Sequence, residues 1–151
     1  MNLFQRVACG WRGIRRPDPA EVLERPLKVV NATRGTVMAT RLDVANSGKL
    51  RRKGLLGRDH LASGEGLWIF PCESVHTFFM RFPIDLVYLD RKNRVRKVRS
   101  NVSAWRISGC LSAHSVLELP AGTIRETATE RGDTVEMIAV TVNGSDSEQT
   151  G

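Results

Sequence analysis

Hydrophobic and β-branched positions along the chain fall into short runs separated by turn-forming residues, a pattern typical of a β-rich fold. The first two runs, Leu27–Asn31 and Thr36–Asp43, flank Arg34-Gly35, which predicts a hairpin. The turn Asp90–Asn93 predicts a second hairpin farther along the chain. The later runs predicted to be strands are Leu67–Phe70, Ile84–Leu89, Arg94–Val98, His114–Leu119 and Thr134–Val142.

Two segments are predicted to be helical. Lys49–Leu56 follows the N-cap candidates Asn46-Ser47 and precedes Gly57, a residue that favours a helix end. Thr123–Thr129 is predicted as a second short helix, and Asn101–Cys110 as a polar loop. With about seven or eight short strands and one or two small helices, we expect a mostly-β single domain, either a β-sandwich or a partly closed barrel.

The two ends of the chain differ from its middle. Residues 1–26 contain several arginines and three prolines and are predicted to form a flexible basic arm, whereas 143–151 has few apolar residues and is predicted to be a frayed tail. Residues 27–142 form the predicted domain. A chain of 151 residues with 41% hydrophobic and 26% charged residues has the length and composition of one globular domain.

The chain is predicted to be cytoplasmic. Its apolar runs are shorter than the ~18 residues of a membrane span, and arginines interrupt the N-terminal apolar residues where a secretory signal would need an unbroken run. Three cysteines, Cys9, Cys72 and Cys110, form an odd set without close CxxC spacing, which is typical of reduced thiols. No cofactor is predicted.

The net charge of +7 is concentrated in two basic clusters. Such clusters favour encounters with nucleic acid, anionic lipid or acidic protein. They lack the interleaved aromatic residues of a stacking platform, so nucleic-acid binding is a weaker alternative to a solvated basic surface. The clusters comprise Lys49, Arg51, Arg52, Lys53 and Arg58, and then Arg91, Lys92, Arg94, Arg96, Lys97 and Arg99.

A repeated spacing places Cys72 and Cys110 each four residues before a histidine, His76 and His114. Cysteine and histidine are the ligands that zinc prefers, so these four residues are metal candidates. On a strand, however, residues four apart lie ~13 Å from each other. Antiparallel pairing would set Cys72 opposite His114 and His76 opposite Cys110, which gives two separate pairs. The pattern therefore favours buried thiols and hydrogen-bonded histidines over a single metal site.

A cysteine hydrolase is the enzymatic alternative. Cys72 would be the nucleophile, His76 or His114 the base, and Asp85 the residue that orients the base. No glycine motif for an oxyanion hole adjoins Cys72. For Asp85 a structural role is favoured, in which its carboxylate caps backbone amides near Pro83 or pairs with Arg81.

Candidate binding residues come from three segments. Strand alternation from Cys72 to Phe82 would place Met80 on one face with further soft and aromatic side chains. Trp105-Arg106, an aromatic beside a guanidinium in a predicted loop, is the preferred recognition element. His114 and Glu118 share a strand face and could form part of a polar pocket.

Several separated motifs carry a family resemblance. In chain order they are GLLGRDHL, FPCESVHTFFMRFPIDLVYLDRKNRV, HSVLELPAG and RGD. Over about residues 27–140 the chain resembles the family called domain of unknown function 192. The resemblance implies a compact, mostly-β domain related to sandwich folds and supplies no activity, cofactor or catalytic set. Some relatives resemble exported proteins with a leader, which this sequence is predicted to lack.

The sequence alone therefore does not establish the molecular function. The sequence favours a small non-catalytic domain that binds a small molecule or a protein. The alternative is a cysteine- or metal-dependent hydrolase that uses Cys72 with His76 or His114.

Overall fold

The computed structural model describes residues 26–140, so the predicted arm, apart from Pro26, and the predicted tail lie outside the described residues. The described part contains nine strands and two helices. The strands are β1 Leu27–Asn31, β2 Thr36–Ala45, β3 Glu65–Ile69, β4 Ser74–His76, β5 Ile84–Leu89, β6 Val95–Val102, β7 Ile107–Gly109, β8 Ser115–Pro120 and β9 Val135–Ala139; the helices are α1 Gly48–Lys53 and α2 Thr123–Thr127.

Seven strands form one curled sheet in the order β6-β5-β8-β3-β2-β1-β9, and β4 pairs with β7 in a separate small sheet. Neighbouring strands run antiparallel except β2 and β3, which are parallel. The two edges of the large sheet approach each other at one point. There, Arg94 and Thr134 form an isolated antiparallel β-bridge, and Val95 N donates to Asp133 O at 2.8 Å. The result is a half-barrel, which confirms the predicted mostly-β class.

Both faces of the large sheet are covered. On its concave side, residues such as Val87 and Leu117 pack with Leu27 in what we call the inner core. On its other side, Leu86 and Val116 pack beneath the small sheet and the segment around α1, in the outer core. Every residue of β5 and the first five of β8 are buried, so these strands lack the polar alternation of a half-exposed strand.

Asp85 of β5 is buried among these apolar side chains. Its carboxylate accepts hydrogen bonds from the amides of Asn101 at 2.8 Å, Gly122 at 3.1 Å and Ile124 at 2.8 Å. Since these amides lie at the end of β6 and at the start of α2, Asp85 joins both elements to the centre of the sheet.

The amides that Asp85 caps are not those near Pro83 that the sequence suggested. Arg81 forms its ion pair with Asp59 instead. The carboxylate therefore serves segments distant in sequence, which a local pattern could not reveal.

Several element boundaries differ from prediction. Helix α1 ends at Gly54 rather than Gly57, because Gly54 adopts φ +48° and its amide donates back to Leu50 O at 2.9 Å. The segment Asn101–Cys110 is not wholly a loop, since it contains β7. Within residues 26–140, no helix has the length and apolar character needed to cross a membrane.

Replacing Asp85 with alanine should lower the free energy of unfolding by about 3 kcal/mol, because three amide groups lose a charged acceptor. Urea denaturation followed by circular dichroism measures this change. Asp43→Ala is the control, because Asp43 forms a half-exposed ion pair with Arg58 and should contribute less than about 1 kcal/mol. Equal stability of Asp85→Ala and the wild type would contradict the structural role.

Candidate functional site

A cleft of about 450 Å³ opens between α1 and β4, above the outer core. One wall is basic and comes from α1. The opposite wall comes from β4 and its flanking turns, and Glu118 of β8 contributes to the lining from the sheet. The side chains that matter for its chemistry are Arg51, Arg52, Lys53, Cys72, His76, Met80 and Glu118.

The basic wall depends on how α1 begins and ends. Ser47 caps the helix by accepting a hydrogen bond from Leu50 N at 3.3 Å. At the other end, a Cβ atom on Gly54 would lie 4.0 Å from Glu118 Oε2. The last turn of α1, which carries Arg51–Lys53, therefore ends directly beside the Glu118 carboxyl group.

Glu118 is only 4% exposed, although it is ionisable. It lies between Leu67 of β3 and Leu86 of β5, and Oε2 has no hydrogen-bond partner among residues 26–140. Burial raises the pKa of Glu118 to about 7, while the positive charge of Arg58 opposes this rise. Near neutral pH the carboxyl group is therefore present in both its protonated and its ionised form.

Cys72 lines the same cleft but is not activated as a nucleophile. Its Sγ donates a hydrogen bond to Ser74 O at 3.1 Å. Burial raises the pKa of the Cys72 thiol above its ordinary value. A nucleophilic cysteine needs the opposite shift, because the thiolate is the reactive form.

The residues predicted to act with Cys72 in a hydrolase do not form a catalytic group around its thiol. His76 is exposed and its ring stacks on Phe78 at 5.0 Å. His114 accepts a hydrogen bond from Cys72 N at 2.9 Å through its backbone carbonyl, and it borders a separate depression that also contains Leu111. The carboxylate of Asp85 accepts hydrogen bonds from backbone amides and orients neither histidine.

The segments that contain the two cysteine–histidine pairs do run antiparallel, as the sequence suggested. Cys72 lies beside His114 as suggested, because Cys72 N donates to His114 O, but the register within the small sheet is different. His76 pairs with Ile107 and Ser74 with Gly109, so His76 does not face Cys110 as predicted. The amide of Cys110 instead donates to Glu73 O at 2.8 Å. Across residues 26–140 the structure contains no group of three or more His, Cys, Asp or Glu side chains that could hold a metal ion.

The five predicted binding residues divide among three surfaces. Met80 and Glu118 line the cleft. His114 borders the separate depression. Trp105, beside Arg106, packs against Phe78 and Phe79 in an exposed aromatic cluster.

Met80 reaches the cleft in a way that the sequence did not predict. The expected alternation from Cys72 to Phe82 is wrong, because β4 ends at His76 and Met80 N donates back to Thr77 O at 3.3 Å. A turn, and not a strand, thus brings Met80 to the cleft. The sequence pattern gave no sign that the basic residues of α1 lie near Glu118, because the two segments are far apart in the chain and meet only where the end of α1 lies beside β8.

The fold and this cleft define a small mostly-β half-barrel domain with a buried carboxyl group beside a basic helix. The chain belongs to the domain of unknown function 192 family, whose model, described as "Uncharacterized ACR", matches residues 29–137. A UPF0127 protein of Thermococcus gammatolerans is 31% identical over 113 residues, which cover 71% of this chain and 72% of that protein. A UPF0127 protein of Thermococcus kodakarensis is 27% identical over 113 residues, which cover 71% of each.

Two solved structures share the fold. A protein of unknown function from Novosphingobium aromaticivorans has a TM-score of 0.64 and 22% identity, with 74% of this chain and 83% of that chain covered. A protein from Sinorhizobium meliloti, described as a proposed transcription regulator, has a TM-score of 0.66 and 21% identity, with 75% of this chain and 92% of that chain covered. The molecular function of the family is unknown, and neither likeness indicates catalysis.

Replacing Glu118 with glutamine should remove one pH-dependent contribution to stability. Because the pKa of Glu118 is about 7 in the folded chain and 4.5 in the ordinary reference, the folded state binds the extra proton between these values. Wild-type stability should therefore fall as pH rises from about 4.5 to 7, on the order of 3 kcal/mol from this group, and then level off.

Urea denaturation of the wild type and Glu118→Gln at pH 5 and pH 8 measures the difference. The variant should lack this fall. Glu126→Gln is the control, because Glu126 is exposed on α2. A wild type and a Glu118→Gln variant with the same pH dependence would show that Glu118 does not carry a raised pKa.

Proposed function

We propose that the domain binds a small anionic molecule in the cleft between α1 and β4, without covalent chemistry. The observation that carries the proposal is the buried Glu118 Oε2, which borders the cleft and has no hydrogen-bond partner among residues 26–140. Burying a polar atom without a partner costs free energy, and a ligand that supplies the partner would recover it.

The basic wall favours an anion over a cation. Arg52 and Lys53 are exposed along the cleft, and Arg51 Nη1 donates to Asn46 O at 3.0 Å. None of these three forms an ion pair with a carboxylate within the described part of the chain. A ligand carboxylate, sulfate or phosphate would offset their charges, whereas an ammonium group would be repelled.

Protonated Glu118 gives the cleft a hydrogen-bond donor for the same ligand. A neutral carboxyl group donates through its hydroxyl, so it can bind an oxyanion that an ionised carboxylate would repel. Since the pKa of Glu118 is about 7, anion binding should be stronger below neutral pH than above it.

The dimensions of the cleft suit a small molecule. A volume of about 450 Å³ falls within the range of ordinary small-molecule sites. Met80 and Ile69 add apolar lining, so the ligand should have an apolar portion beside its anionic group. The unpaired cysteines Cys72 and Cys110 support a reducing location, the cytoplasm.

The hydrolase alternative has less support from the same residues. The raised pKa of Cys72 disfavours its thiolate, and its hydrogen bond runs to a backbone carbonyl rather than to a histidine. A ligand held by Glu118 and the α1 cations requires no reactive thiol.

Calorimetric titration with sulfate, a dianion over the whole range, and with succinate should show an affinity about tenfold weaker at pH 8 than at pH 6. This ratio follows because only the protonated fraction of Glu118 would be competent to bind. In Glu118→Gln the pH dependence should disappear, because the glutamine amide remains a neutral donor.

The charge requirement is tested on the same helix. The double variant Arg52→Ala/Lys53→Ala should weaken binding about fivefold. Lys49→Ala is the matched control, since Lys49 is exposed on α1 but does not border the cleft. Affinity that is independent of pH and equal in both variants would refute the anion site.

A further inference from the structure

The outward face of the small sheet and its adjoining turns carry a continuous group of apolar and aromatic side chains. His76 stacks on Phe78 at 5.0 Å, Phe78 lies 5.6 Å from Trp105, and Trp105 lies 4.6 Å from Phe79, all measured between ring centroids. Ile107 extends the group, because it is the cross-strand partner of His76. We call these five residues the aromatic platform.

Much of the aromatic platform lies in solvent. Phe79 is 71% exposed, Trp105 is 58% exposed and Ile107 is 73% exposed. Side chains of this size are normally buried, and a contiguous exposed group of them marks an interaction surface.

The backbone holds two of the exposed rings in a costly conformation. Phe79 has φ +63° and Trp105 has φ +62°, a region that bulky residues rarely occupy. Such conformations persist where the surrounding structure enforces them, and they are concentrated at functional sites.

Thr77, which is buried, enforces this arrangement. Its carbonyl accepts hydrogen bonds from Met80 N at 3.3 Å and Trp105 N at 3.0 Å. Its hydroxyl donates to Ser103 O at 2.7 Å and accepts from Arg106 N at 3.0 Å. The carbonyl and hydroxyl groups of this one residue thus connect the two turns that present the rings.

A basic strip runs beside the platform on β6. Lys97 Nζ donates to Gly109 O at 2.7 Å, so this part of β6 lies next to the end of β7. Pairing with Tyr88 and Leu86 places Lys97 and Arg99 on the sheet face that the small sheet covers.

Arg106 continues the basic strip, because it directly follows Trp105 and is exposed. None of Lys97, Arg99 and Arg106 takes part in the ion pairs formed among residues 26–140. No carboxylate among these residues neutralises their charges, which can therefore attract a polyanion.

We propose that the aromatic platform and the basic strip together bind single-stranded nucleic acid. Unpaired bases would stack on Trp105 and Phe79, while the phosphate backbone follows Lys97, Arg99 and Arg106. In the sequence the basic clusters have no interleaved aromatic residues, but the fold brings the rings from other segments alongside β6. This proposal is independent of the anion cleft.

The exposed rings favour a single strand over a duplex. The bases of a duplex are stacked on each other, so they cannot stack on protein rings without being unpaired. A lipid surface also binds tryptophan and phenylalanine side chains beside basic residues, so binding to anionic vesicles is the competing outcome of the experiment below.

Fluorescence anisotropy of the full chain with labelled ten-nucleotide oligo(dT) and oligo(U), at about 50 mM salt, tests the proposal. We expect binding to at least one of them, weaker binding to a duplex of the same length, and affinity that falls with added salt. Trp105→Ala and Phe79→Ala should each weaken binding about tenfold. The matched control is Val37→Ala, since Val37 is also exposed but lies on β2.

The charges are tested in the same assay. Arg99→Ala should weaken binding and reduce the salt dependence, whereas Arg131→Ala, an exposed arginine outside the strip, should change neither. Because these side chains are exposed, the variants should keep the wild-type melting temperature, which is measured in parallel.

Tryptophan fluorescence gives a readout specific to stacking. The oligonucleotide should quench part of the wild-type emission, and this part should be missing in Trp105→Ala, which keeps the chain's other tryptophans. If Trp105→Ala and Phe79→Ala bind as tightly as the wild type, or if neither oligonucleotide binds, the proposal is wrong. Flotation with phosphatidylglycerol vesicles that depends on Trp105, without oligonucleotide binding, would overturn it in favour of a lipid surface.

Discussion

Strand β8 is covered on both faces, and this constraint sets the chemistry of the protein. Leu117 and Leu119 point into the inner core, so Glu118 between them must point to the opposite, outer face. That face is buried as well, because the segment after α1, with Leu55 and Leu61, and the small sheet lie across it. An ionisable group is thus held away from water, and its pKa rises for that reason.

The same covering elements generate two distinct surfaces. The cleft forms where α1 and β4 separate above Glu118, and the aromatic platform forms on the outward side of β4 and β7. His76 borders the cleft and also stacks on Phe78, so it belongs to both surfaces. The half-barrel below them is stabilised by Asp85, whose three backbone hydrogen bonds hold the surrounding segments in place.

The sequence predicted the fold class well because most strands follow local apolar runs and turns. The hairpins around Gly35 and Asn93 and the short helix after Ser47 all depend on residues close in the chain. The site was less predictable, because it depends on register and chain path. The positive φ of Phe79 ended the expected alternation, and the pairing of His76 with Ile107 kept His76 from facing Cys110, although Cys72 N bonds to His114 O. Glu118 was a candidate from its strand position, but its basic neighbours came from a distant helix.

The most direct measurement is a titration of the Glu118 carboxyl carbon by ¹³C NMR, assigned by comparison with Glu118→Gln. We expect a pKa near 7 for Glu118 in the free protein and a higher pKa in the presence of sulfate, because the bound dianion favours the protonated carboxyl group. An ordinary carboxyl pKa in the free protein, or a pKa that sulfate leaves unchanged, would contradict the claim that this buried group is the anion-binding element of the cleft.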